Sequence, residues 1–88
     1  MSELPGRAPA AARVTVLTRP GCHLCEDATA IVSSVCEELG VGWTERDISA
    51  DPEAMKAYGE QIPVTFVDGR QHDFWRVDPE RLRTALAT

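Results

Sequence analysis

A chain of 88 residues makes one small domain and leaves no room for a second. Its hydrophobic content of 43% is that of an ordinary globular protein. At this size only about 60% of the unfolded surface can be buried, so the core must come from compactly layered elements. The net charge of −5 argues against broad electrostatic binding to nucleic acid or to an anionic membrane surface. No run approaches the roughly 20 apolar residues of a membrane span. Three cysteines are an odd number, and two of them stand too close in sequence to staple a fold. That usage fits a reducing compartment better than a secreted disulfide framework. The first dozen residues lack the apolar stretch of a signal peptide, and the expectation is a cytoplasmic monomer.

Residues 1–12 are rich in proline, alanine and glycine and show no period, so a disordered tail is expected there, with one domain over residues 13–88. Residues 13–18, β-branched and apolar, predict a central strand, which Pro20 and Gly21 end. From Leu24 the apolar positions Ala28, Ile31, Val32, Val35, Cys36 and Leu39 follow in steps dominated by three and four. They predict one face of a helix, stopped by Gly40. On that face Cys36 reads as a small buried hydrophobe.

Residues 41–48 predict a second strand around Trp43, parallel to the first because a helix joins them. Asp51 and Pro52 mark a helix start, and the short helix ends near Gly59. A β run follows Pro63, and Asp68-Gly69 predicts a primed two-residue hairpin turn. Residues 70–75 return as an antiparallel edge strand, on which His72 reads as plain surface and Phe74 and Trp75 as sheet packing. Asp78 and Pro79 repeat the cap-and-proline start, with Leu82, Ala85 and Leu86 as the stripe of a closing helix. The order is β-α-β-α-β-β-α.

Between the first strand and the first helix lies Arg19-Pro20-Gly21-Cys22-His23-Leu24-Cys25. Two cysteines three apart at a helix start can close a small disulfide ring and reopen it. A helix N-terminus presents unpaired N–H groups and partial positive charge, which favour a thiolate, the species that attacks disulfides. Cys22 is nearer the helix mouth, whereas Cys25 is one turn in and is expected to be more buried and less acidic. Arg19 and a protonated His23 add positive charge, while Glu26 and Asp27 oppose it. His23 reads equally as a solvent-facing residue with no specific task. The motif beside a βαβ pattern points to thiol redox chemistry. Half of a zinc or copper site is the alternative, although a structural zinc site takes four ligands and one CxxC supplies two. A scaffold without activity is a third reading.

The motif after the first strand, with Asp47-Ile48, Tyr58-Gly59, Ile62-Pro63-Val64 and Val67-Asp68-Gly69, resembles the thioredoxin superfamily and within it the glutaredoxins. The resemblance implies a mixed four-stranded sheet ordered 2-1-3-4, with the first and third helices on one face and the second on the other. It implies a thiol–disulfide oxidoreductase in which Cys22 attacks and Cys25 resolves. Pro63 is then a cis-proline facing the pair, leaving the Ile62 backbone free to pair with an extended substrate. Arg19, His23, Ile62 and Pro63 become the substrate-binding set. No metal or resident cofactor is implied beyond the redox-active disulfide. The partners are protein or small-molecule disulfides, with glutathione, another low-molecular-weight thiol or a reductase as electron donor. Glutaredoxins usually carry a glycine pair and acidic residues before the last helix, where this chain reads Phe74-Trp75-Arg76-Val77-Asp78-Pro79. Glutathione is accordingly expected to be a poor partner.

Overall fold

The computed structural model describes residues 12–87. Its elements are β1 (Ala12–Thr18), α1 (His23–Leu39), β2 (Gly42–Asp47), α2 (Pro52–Tyr58), β3 (Val64–Val67), β4 (Arg70–Phe74) and α3 (Pro79–Leu86). The expected element order is met. The sheet runs β2-β1-β3-β4, also as expected, with β1 parallel to β2 and antiparallel to β3. This is a thioredoxin-like α/β fold. β1 begins at Ala12, one residue earlier than the sequence pattern places it, and the remainder of the expected tail lies outside the described residues.

Local chemistry explains the element boundaries. Gly40 closes α1, where its N–H donates to Glu37 O at 3.3 Å and that of Val41 to Cys36 O at 2.8 Å. Asp51 and Asp78 cap α2 and α3 through their carboxylates, which accept from Ala54 N–H at 3.1 Å and Glu80 N–H at 2.9 Å. Asp68 and Gly69 join β3 to β4 with φ of 52° and 82°. Two positive φ values in succession are what a primed turn requires.

Strand alternation divides the core between the two faces. Val14 and Val16 of β1 and Val67 of β3 meet Ala28, Val32, Val35 and Cys36 of α1 and Leu82 and Leu86 of α3. On the opposite face, Leu17 and Val64 pack with Ile48 and Ile62, and α2 adds Ala54, Met55 and Tyr58. Helices α1 and α3 therefore share one face and α2 covers the other. No helix among the described residues is long and apolar enough to cross a membrane.

Two sequence expectations are corrected. Leu39, assigned to the apolar face of α1, is 41% exposed as the last residue of the helix, next to the Gly40 cap. His72 is not plain surface. The pairing of β3 with β4 slips between Thr65 and Phe66, so His72 is the extra residue of a bulge. Its side chain is only 11% exposed, with Nε2 3.8 Å from Asp73 Oδ2.

Leu82 is fully buried between α3 and the sheet. Leu82→Ala is expected to cost about 2–5 kcal/mol in urea unfolding. Leu39→Ala, at the exposed end of α1, is expected to change stability by no more than about 0.5 kcal/mol.

Candidate active site

The chain leaves the end of β1 at Thr18 and turns through Pro20 and Gly21, whose φ of 72° suits glycine. That turn delivers Cys22 to the N-cap position of α1. The cap is made by sulfur, since Cys22 Sγ accepts a hydrogen bond from Cys25 N–H at 3.1 Å. Glu26 N–H donates to Cys22 O at 3.2 Å, closing the first turn. Cys22 is half-buried, whereas Cys25 is 4% exposed. All three cysteines are free thiols.

Placement on the helix separates the two thiols chemically. Cys25 belongs to α1 but packs into the cluster on the α2 face, with Leu17, Ile48, Ile62 and Val64. Burial, reinforced by its hydrogen bond with Cys22, pushes the Cys25 thiol up to about 11, against the opposing pull of the Arg19 backbone and charge. At neutral pH Cys25 therefore holds its proton, and Cys22 is the more accessible sulfur. Burial raises the Cys36 thiol as well, and its place in the core between α1 and the sheet matches the sequence reading.

Arg19, Cys22 and Cys25 line one cavity of about 280 Å³ with Thr29 and the carboxylates of Glu26 and Glu45. His23 is exposed at the start of α1 and lies outside that lining. Ile62 and Pro63 are buried, and the peptide between them is cis. Cys22 packs against the cluster that contains Ile62. Neither the N–H nor the C=O of Ile62 makes a backbone hydrogen bond among the described residues. Arg19 and Ile62 thus come to the thiol pair, Pro63 is joined to Ile62 by the cis bond, and His23 stays outside the cavity.

Sequence reasoning missed Glu45 and Trp75. Val16 pairs with Glu45 in the parallel register, which places Glu45 on the α1 face of the sheet, and Thr18 Oγ1 donates to its carboxylate at 2.9 Å. Alternation from Trp43 could have put Glu45 on that face, but the register is not readable from one strand. The assignment of Phe74 and Trp75 to sheet packing is corrected, since they are 47% and 51% exposed. The chain leaves β4 at Phe74, and Trp75 takes φ of 63°. For a bulky residue that region costs on the order of 1–3 kcal/mol. Among the described residues, no three His, Cys, Asp or Glu side chains group as metal ligands.

A family-wide profile of the glutaredoxin-like domain (DUF836) matches residues 13–87. The chain belongs to that family. An uncharacterized protein of Mycobacterium tuberculosis, Rv0508, is 32% identical over 80 residues, which are 85% of this chain and 82% of that one. The X-ray structure of protein XcR50 from X. campestris has 29% identity and a TM-score of 0.71, covering 84% of this chain and 95% of that one. Thioredoxin from Fasciola hepatica, at 18% identity and a TM-score of 0.57, covers 93% of this chain and 86% of its own, a likeness of fold alone. Membership of this glutaredoxin-like family, together with the fold, supports a thioredoxin-type redox role.

Two measurements test the asymmetry of the thiols. Iodoacetamide at neutral pH is expected to alkylate Cys22 before Cys25, and the reverse order overturns the assignment. Cys25 binds its proton more tightly folded than unfolded, where its ordinary value is 9.0. It therefore contributes stability that is complete below about pH 9 and is lost as pH rises towards 11. The urea midpoint of the reduced protein is expected to fall across that window, and less steeply in Cys25→Ser.

Proposed function

We propose that this protein is a thiol–disulfide oxidoreductase that reduces disulfides by dithiol exchange through Cys22 and Cys25. The observation that carries the reading is the pairing of a half-exposed sulfur at the helix cap with a buried, protonated thiol one turn in. Cys22 thiolate attacks one sulfur of the substrate disulfide, and the other sulfur departs as a thiolate and takes up a proton. The Cys25 thiol then gives up its proton and attacks Cys22 Sγ. The mixed disulfide breaks, the second substrate thiol is released, and Cys22 and Cys25 are left joined. Two electrons have passed to the substrate, and an external thiol or reductase returns them. Neither a metal nor a resident cofactor enters this cycle, and a monomer in the cytoplasm suffices for it.

Substrate recognition follows from the groups around Cys22. The unpaired N–H and C=O of Ile62 suit an extended disulfide-bearing chain, with Arg19 as the nearby cation. A glutathione site needs further donors for the γ-glutamyl end. In this chain Trp75 N–H is taken by Pro63 O at 2.8 Å and Arg76 N–H by Phe74 O at 2.8 Å. The Asp78 carboxylate is occupied as the cap of α3. Loss of one hydrogen-bonded charge contact removes about 1.5–3 kcal/mol, roughly ten- to a hundredfold in affinity.

Cys22→Ser is expected to abolish disulfide reduction, and Cys25→Ser to accumulate mixed disulfides. With wild type, electron donors are compared under identical conditions: glutathione, a second low-molecular-weight thiol and a thioredoxin reductase. Glutathione is expected to act about ten- to a hundredfold more weakly than on a dithiol glutaredoxin. Comparable rates with saturable glutathione dependence count against the reading of residues 74–78.

A further inference from the structure

Trp75 is a large side chain held where its backbone is unfavourable and its ring is not buried. Its φ of 63° would suit glycine, and about half of the residue remains exposed. Packing inside the core does not account for that arrangement. The residue is nevertheless fixed from several sides. Its N–H is shared between Gln61 O at 3.2 Å and Pro63 O at 2.8 Å, and its indole Nε1–H donates to Glu60 O at 3.0 Å. Its ring meets that of Phe74 edge-on, with centroids 5.0 Å apart. An exposed aromatic held in a strained conformation by several partners points to a role for the ring outside the fold.

The ring forms one side of an open cleft of about 390 Å³, whose other members include Leu24, Ala28 and Ile31 of α1 and Val77. Asp27 and Arg76 contribute one charge of each sign, so the cleft favours neither an anion nor a cation. Two connections join it to the thiol pair. Leu24 lies between Cys22 and Cys25 in the chain, and its side chain lines the cleft. Trp75 is bonded to the carbonyls of residues 61 and 63, on either side of Ile62 with its unpaired backbone groups. The segment that holds Ile62 and the aromatic wall are thus tied directly to each other.

We propose that Trp75, Leu24, Ile31 and Val77 form a side-chain subsite, and that it selects polypeptide disulfides with a large apolar residue within two positions of the cysteine. The proposal rests on the reading of Cys22 and Cys25 as an exchange pair and adds the substrate class. The occupant follows from the lining, which is mostly apolar and balanced in charge, and whose volume admits a leucine or phenylalanine side chain. Glutathione has no such side chain to place there.

The test uses the full, pre-reduced chain in single-turnover reduction of two extended peptides. Each holds one intramolecular disulfide, and they differ only in Leu or Ser two residues after the first cysteine. Wild type is expected to prefer the Leu peptide about tenfold, the scale of burying part of one apolar side chain. In Trp75→Gly and Trp75→Asn, whose residues both suit the left-handed region, the ratio is expected to fall to near one. The ratio is the readout because a purely structural role for Trp75 lowers both rates together. Equal rates in wild type, or a preference that survives both substitutions, overturns the subsite and leaves the exchange chemistry standing. A wild-type dimer that Trp75→Gly dissolves would assign the face to self-association and also overturns it. Failure of wild type to reduce either peptide, or a simple disulfide such as bis(2-hydroxyethyl) disulfide, overturns the exchange reading and the subsite together.

Discussion

β1 has neither a free edge nor a free face, and the site depends on that. β2 and β3 pair with its two edges, α1 and α3 cover Val14 and Val16, and the α2 cluster covers Leu17. Burying each such side chain is worth about 1.5–3 kcal/mol, so the strand is anchored firmly on both sides. Its C-terminal end is therefore a fixed point. The turn after Thr18 has only Arg19, Pro20 and Gly21 in which to reach the cap of α1. Cys22 arrives there because the strand, the turn and the helix leave it no other place.

Differentiation of the two thiols follows from the same framework. One helical turn separates Cys22 from Cys25, but that turn crosses from the mouth of the site into the core. The N–H that holds Cys22 Sγ belongs to Cys25, so the residue whose own thiol is kept protonated also positions its partner's sulfur. Glu45 and Arg19 place charges of both signs in the adjoining cavity. Thr18 anchors Glu45, which links the end of β1 to β2 at the level of the thiols.

Polar groups on β3 and β4 depart from a simple layered core. Thr65 Oγ1, His72 Nε2 and Asp73 Oδ2 are buried without a hydrogen-bond partner among the described residues, while Asp73 Oδ1 accepts from Arg81 at 2.6 Å. The β3–β4 bulge brings His72 into this group. The same hairpin ends in Trp75, whose left-handed backbone turns the chain away from the sheet towards the start of α3. One short hairpin thus carries the bulge and the strained aromatic, and both lie outside what β propensity anticipates.

The amino-acid sequence alone determined the features that rest on neighbours a few positions apart. The apolar spacing of α1, the Asp51-Pro52 and Asp78-Pro79 starts, the Asp68-Gly69 turn and the position of Cys22 at a helix mouth involve residues within about one turn of one another. Such interactions are written directly in residue order. The resemblance carried by Cys22, Cys25, Pro63 and their spacing added the sheet order. Tertiary structure alone decided that Cys25 packs on the α2 face, that Glu45 enters the thiol cavity, that His72 turns inward and that Trp75 leaves the sheet. Each of these depends on register, a bulge or a hydrogen bond between segments distant in sequence. A one-residue slip in pairing reverses which face a strand residue occupies, and no local pattern in a single strand records where its partner will stop.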